Sequence, residues 1–221
     1  MSGFLFEQIV FGPVKSRRLG ISLGINLLPT DHKVCSFNCL YCECGWTLPH
    51  GQEGFSFPSR TMVSEALEDR LRVMAEKHGM ITAITFAGNG EPTLHPEFPG
   101  IVDDTLKLRD MYYPGAKTTV LSNSSMLHKE EVLQALLKTD QPVMKLDAGT
   151  ESCFQALNNP LKGVTLMQVV DKLKRFQGQL IIQTLFVRGT HKNTYIDNTC
   201  EEEVQAWLGH IRDISPSLVM L

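Results

Sequence analysis

Cys35, Cys39 and Cys42 stand in the run Cys-Ser-Phe-Asn-Cys-Leu-Tyr-Cys. Three thiolates at that spacing can hold three corners of an iron–sulfur cubane and leave the fourth iron without a protein ligand. An iron with a free position can bind and activate another molecule, and soft thiolates suit such a centre. The rival is a structural zinc site, which takes four ligands, usually as two C-x2-C-like pairs across a longer spacer. Cys44 can supply the fourth, although a single residue after Cys42 is cramped for a tetrahedron; His32 and His50 are the other candidates. Four of the six cysteines are bunched between Cys35 and Cys44, a pattern of metal binding more than of a disulfide framework. Cys153 and Cys200 stand alone and read as buried, inert thiols.

A second constellation is Gly88-Asn89-Gly90-Glu91-Pro92. On its own it is a glycine turn that reverses the chain after a buried strand. The same residue types suit a ligand: glycines let backbone carbonyls approach closely, and Glu91 can offset an ammonium charge. Lys15, Arg17 and Arg18 flank Ser16, either as a solvated basic surface or as contacts for a phosphate or carboxylate. The polar stretch from Arg188 to Asn198 carries His191, Lys192, Tyr195 and Asp197, and reads as a substrate lid or a solvated loop.

Elements must position these groups. Val63, Leu67, Leu71 and Met74 recur at helical spacing between Thr61 and His78, with Gly79 as a stop. Further helices are expected from Glu97 to about Met111, from Glu130 to Lys138, from Leu166 to Phe176, and from Glu201 to about Arg212 with Val204, Leu208 and Ile211 inward. Strands are expected at Ile21–Leu27, Ile81–Phe86, Thr118–Leu121, Val143–Leu146, Leu180–Val187 (the longest) and Leu218–Leu221. Strands separated by helices imply right-handed parallel βαβ units. In such folds functional groups gather where strands end. The cysteine loop, the Gly88–Pro92 turn, Ser122 and Asn123, Asp147, Gln183 and Arg188–His191 would then share one rim. The last strand lacks a covering helix, which predicts a truncated chain or a partner over that edge.

The 221 residues suit one domain, 1–221, with 43% hydrophobic and 20% charged residues. Net charge is −3, so no overall basic field points to nucleic acid, and 21 Lys plus Arg against 24 acidic residues weigh against RNA. No apolar stretch is long enough to span a membrane, and the N-terminus lacks a secretory pattern. The expected location is cytoplasmic.

The cysteine run with Tyr41 before its third cysteine resembles the cluster motif of the radical S-adenosylmethionine superfamily. Gly88–Pro92 resembles the family's Gly-Gly-Glu-Pro element, with Asn89 inserted between the glycines. Gly12-Pro13-Val14-Lys15-Ser16-Arg17-Arg18-Leu19-Gly20, Ser22-Leu23-Gly24-Ile25-Asn26, Lys145-Leu146-Asp147-Ala148-Gly149 and Asp197-Asn198-Thr199 extend the likeness to a small branch grouped with wyosine-type tRNA-modifying enzymes. In that branch Cys44 belongs to the pattern as a neighbour of the cluster, not a ligand. The resemblance implies a [4Fe-4S] cluster on Cys35, Cys39 and Cys42 that chelates S-adenosylmethionine, whose cleavage yields a 5′-deoxyadenosyl radical that takes hydrogen from a substrate. It implies Tyr41 near the adenine and Gly90 and Glu91 at the methionyl amine; strand-end position alone makes Asn123, Asp147 and Gln183 candidates for the ribose, carboxylate or adenine. A reductant such as flavodoxin or ferredoxin would serve, and the substrate would be RNA or a small molecule. The fold expected is a partial (β/α)6 barrel, open, with parallel strands and the last strand at the C-terminus. The alternative is a non-enzymatic iron–sulfur or zinc protein in electron transfer or assembly.

Overall fold

The computed structural model describes residues 3–47, 56–160 and 163–221; His50, one of the zinc-ligand candidates, lies outside them. The elements in chain order are β1 (Val10–Ser16), β2 (Gly20–Ile25), α1 (Arg60–Glu76), β3 (Ala83–Phe86), α2 (Phe98–Tyr112), β4 (Lys117–Ser122), α3 (Glu130–Leu137), β5 (Gln141–Lys145), α4 (Glu151–Leu157), α5 (Leu166–Lys174), β6 (Ile181–Gln183), β7 (Arg188–His191), β8 (Thr194–Asp197), α6 (Glu201–Ile214) and β9 (Leu218–Met220). Seven strands form one open sheet in the order β1-β2-β3-β4-β5-β6-β9. From β2 to β9 every pairing is parallel. The expected fold class is therefore present: a mostly parallel α/β sheet, not closed.

Helix starts follow local chemistry. Ser59 caps α1 by accepting from the Met62 amide, and Thr165 with Gln168 forms a reciprocal capping box on α5. Val63, Leu67 and Leu71 bury the inner face of α1, and Ile101 and Leu108 that of α2, where the periodicity puts them. The core lies between these helices and the β-branched strands, around Leu23, Ile25, Ile84, Phe86, Phe98 and Val120.

Four features differ from the sequence reading. β1 adds an antiparallel edge strand to the otherwise parallel sheet; Pro13 sits in it where the register slips between Phe11 and Val14, a position only an edge tolerates. The expected long strand over Leu180–Val187 shrinks to β6, because the Leu185 amide leaves the ladder for Asp147 Oδ1 at 2.8 Å and the Val187 amide goes to Asn198 Oδ1 at 2.6 Å. The polar stretch after it is the hairpin β7–β8, turning at Lys192 and Asn193, both with positive φ. α6 turns Glu203, Trp207 and Ile214 inward, about one residue round from the expected face, and leaves Val204 only half-buried.

Candidate functional site

The chain between Asn26 and Thr47 leaves the end of β2 and is tied down on three sides. Val34 pairs with Gly90 in a parallel bridge: its amide donates to the Asn89 carbonyl at 3.0 Å and its carbonyl accepts from the Glu91 amide at 3.1 Å. The Asn38 and Leu40 amides donate to the carbonyls of Asn159 and Leu157, at the end of α4. Ser36 Oγ meets Ser125 Oγ at 2.6 Å. The Cys42 amide closes a turn onto the Cys39 carbonyl at 3.0 Å, so the last two thiols of the run sit on one tight reversal.

Nitrogen donors surround the thiols. Cys35 Sγ accepts from the Phe37 amide at 3.4 Å and from Asn123 Nδ2 at 3.5 Å. Cys39 Sγ accepts from Asn158 Nδ2 at 3.5 Å. Burial, and next the Glu91 charge, pushes the Cys35 thiol up to about 12; burial also raises Cys39. Cys42 is held below the ordinary thiol range, first by a hydrogen bond from Cys44 and, against the effect of burial, by the Lys33 ammonium; Cys44 is correspondingly raised. The Gly88 carbonyl, 3.4 Å from Cys44 Sγ, is the alternative acceptor for that thiol's single proton. Two thiols that burial makes costly to ionise yet N–H groups meet, beside a third held below the ordinary range, fit a metal cluster that takes all three as thiolates.

In the Gly88–Pro92 turn each residue has a distinct task. Asn89 is fully buried; its amide nitrogen donates to the carbonyls of Phe6 and Pro29, and its Oδ1 accepts from the Phe6 amide. The residue that breaks the family spelling thus staples the N-terminal segment under the turn. Gly90 has φ +143°, and a Cβ there would lie 1.9 Å from the Val34 carbonyl oxygen, so the bridge to the cysteine loop requires glycine. Glu91 is 2% exposed, and its oxygens accept from the Thr93 amide and hydroxyl, Ser122 Oγ at 2.8 Å and the Asn123 amide at 2.6 Å. Burial raises its pKa, and those four donors oppose the rise.

A second buried acid organises the far side. Asp147 is 2% exposed and accepts from the Tyr41 hydroxyl, from Asn158 Nδ2 at 2.9 Å and from the Leu185 amide, and it pairs with Lys145 Nζ at 3.0 Å. Lys145 also lies 5.2 Å above the centre of the Tyr41 ring. Burial and the neighbouring Asp147 raise the Tyr41 phenol, so it remains a donor. Asn123 bridges the two regions through its contacts with Cys35 and with Ser36 Oγ at 3.0 Å. Gln183 lies beside Lys145 in the sheet, and among the described residues its side-chain amide has no hydrogen-bond partner.

The structure thus gathers Cys35, Cys39, Tyr41, Glu91, Asn123 and Asp147 through direct contacts. Ser122, expected on the rim, joins them through Glu91, and the structure adds Lys33 and Asn158, which sequence reasoning missed. Asn158 reaches Cys39, Tyr41 and Asp147, while its Oδ1 is buried without a partner among the described residues. Lys15, Arg17 and Arg18 are not near this rim: they sit exposed around the β1–β2 turn, at the opposite end of β2, and Arg18 donates to the Leu221 carbonyl. Cys153 is buried, as expected, but Cys200 is exposed at the start of α6, where a cap residue faces solvent. The β7–β8 hairpin leans toward the cysteine loop. His191 lies 6.1 Å from the Trp46 ring and Lys192 5.7 Å above it, and a cleft runs between Leu40, Tyr41, Leu157 and the hairpin's His191 and Ile196.

The model of the radical SAM superfamily matches residues 31–193, and the chain belongs to that superfamily. Its sequence is 32% identical over 213 residues to the UPF0026 protein MJ1312 of Methanocaldococcus jannaschii, covering 95% of this chain and 61% of that protein. It spans 29% to 61% of the length of four such curated relatives. Among solved structures it is similar to a radical SAM methyltransferase from Sphaerobacter thermophilus, with a TM-score of 0.61 and 12% identity over 90% of this chain and 55% of that one. It is also similar to archaeal TYW1, with a TM-score of 0.51 and 13% identity over 87% and 61%. At these identities the two structures show a shared fold. No helix among the described residues is long and apolar enough to cross a membrane.

Proposed function

We propose that the chain is a radical S-adenosylmethionine enzyme domain in which Cys35, Cys39 and Cys42 hold a [4Fe-4S] cluster. The observation that carries this reading is the bridge between Val34 and Gly90, which joins the cysteine loop to the Gly88–Pro92 turn. Two segments far apart in sequence make one site through backbone bonds. Cys35, Cys39 and Cys42 would hold the cluster, which would supply the one electron that splits S-adenosylmethionine into methionine and a hydrogen-abstracting 5′-deoxyadenosyl radical.

The chain's own residues bind, orient and shield. Asn123, Asn158 and the Phe37 amide direct N–H groups at the thiols, which fixes the ligands and favours their charged form. Gly90 keeps the turn's backbone against the loop, where the methionyl amine would meet it. Glu91 acts on that ammonium through its field, since its own oxygens are engaged by Thr93, Ser122 and Asn123. Asp147, held by Tyr41, Lys145 and Asn158, sets the wall facing the adenine and ribose. Gln183 supplies an uncommitted amide at the same rim, and the β7–β8 hairpin restricts water from above.

The substrate is RNA or a small metabolite, with the electron delivered by flavodoxin or ferredoxin. Archaeal TYW1 shares the fold, whereas the net charge of −3 weighs against an RNA partner. The test is anaerobic reconstitution with iron and sulfide, then S-adenosylmethionine and dithionite, with 5′-deoxyadenosine as readout. Cys42→Ala should lose cluster and product, and Cys44→Ala should keep the cluster. Turnover in Cys42→Ala defeats the ligand assignment. Intact clusters that yield no 5′-deoxyadenosine favour the electron-transfer or assembly reading. RNA retention that is absent, or unaffected by salt, defeats the RNA reading.

A further inference from the structure

Lys33 is 3% exposed, two residues before Cys35. Its ammonium donates to the Gly45 carbonyl at 3.0 Å, and among the described residues no carboxylate lies within salt-bridge distance. The nearest acid in sequence, Asp31, pairs with His32 at 2.7 Å. The carbonyl it meets belongs to the turn that carries the third cysteine of the run: the Gly45 amide donates to the Cys42 carbonyl at 3.2 Å, so the ammonium lies against the Cys42–Gly45 turn. A buried ammonium without an anion is costly, because one carbonyl dipole replaces only part of its hydration. The loop that buries it is the loop that holds the three ligand cysteines. A [4Fe-4S] core with three thiolates is net negative and becomes more so on reduction. Neutral N–H donors from Phe37, Asn123 and Asn158 reach Cys35 and Cys39, whereas Lys33 brings a full charge to the turn that carries Cys42.

We propose that Lys33 is the buried counter-charge of the cluster: it raises the cluster's reduction potential and makes the loaded protein more stable relative to the cluster-free one. This rests on the reading that Cys35, Cys39 and Cys42 hold the cluster. Net charge and hydrogen bonding around the sulfurs are the levers a protein has on such a potential. A lysine suits the place because its charge is compact and its stem is apolar.

The test compares wild type with Lys33→Met, which removes charge and donor, and Lys33→Gln, which removes the charge and retains a donor for Gly45. In an EPR-monitored redox titration both variants should shift the cluster midpoint to more negative potential. In urea, cluster-free Lys33→Met should unfold at higher denaturant than its Lys33 counterpart when both carry Cys42→Ala, so that no thiolate answers the ammonium. The gain in urea midpoint on loading should be smaller than in wild type. A folded variant that takes up less iron also supports the proposal. A wild-type potential in a loaded Lys33→Met or Lys33→Gln protein overturns it. So does a cluster-free Lys33→Met protein no more stable than its Lys33 counterpart in the Cys42→Ala background. Wild type that binds no iron defeats the cluster reading instead, and the cluster-free comparison still decides whether Lys33 is an uncompensated charge.

Discussion

Both oxygens of Glu91 face the protein's own donors, which distinguishes it from a carboxylate poised in open space. Replacing Glu91 with Gln keeps the size but turns one oxygen into an NH2 group that meets a donor. A lost charged hydrogen bond with a buried, mismatched donor costs about 1–3 kcal/mol. Glu91→Gln should therefore lower the urea midpoint of the cluster-free protein; an unchanged midpoint would show that the carboxylate is not an organising acceptor. The cysteines and Glu91 were legible in the sequence because their spacing is local and chemically peculiar. Asn158 and Lys33 were not, since a lone Asn after a helix and a lone Lys before a cysteine look like surface residues. Only the folded chain shows that the first reaches Cys39 and the second is enclosed.

At the scale of elements, helices seat the site from behind, and α4 reaches it only with its last residue. Glu203 of α6 accepts from the Gly149 amide at 2.8 Å and from the Thr150 amide at 3.2 Å, which seats the first turn of α4. Gly149 allows this because a Cβ there would lie 2.2 Å from the Glu203 carbonyl oxygen. The other end of α4 presents Leu157 and Asn158 to the cysteine loop. The Lys-Leu-Asp-Ala-Gly segment thus serves both a buried acid and a helix contact. On the opposite side, Arg60 holds Asp104 through two bonds of 2.6 and 2.8 Å, joining α1 to α2. Arg60 keeps the Asp104 carboxyl below its ordinary value of 3.8. The folded pKa lies below the unfolded one, so this pair's stabilisation is complete above pH 3.8 and is lost as pH falls through the folded value. Asp104→Asn should flatten that part of an acid-unfolding curve followed by circular dichroism. A curve parallel to wild type would assign the clamp no role. The long helices were readable from apolar spacing; the seven-residue α4 was too short for a period, and the β7–β8 turn uses Lys-Asn where Asn-Gly would have signalled a hairpin.

Across the whole molecule, the parallel order of six strands follows from alternating patterns, while the antiparallel β1 does not, because Gly12 and Pro13 interrupt its run. The buried core around Leu23, Phe86 and Phe98 is built from apolar side chains of strands and helices and includes none of the three ligand cysteines among its fully buried members. This differs from a zinc finger, in which binding energy is folding energy. Stripping iron with a chelator should therefore leave the far-UV spectrum and a cooperative thermal transition in place. A cluster-free chain with no such transition would show that the scaffold depends on its ligand.

The bridge from Val34 to Gly90 also sets an order of events in the life of the protein. The three cysteines emerge early during synthesis, but the strand end that fixes their loop follows some fifty residues later. The end of α4 comes later still. A complete receptor exists only after most of the chain has been made, so iron and sulfide are best delivered to a finished protein. The machinery that supplies them would meet a folded acceptor, not a nascent thread of thiols.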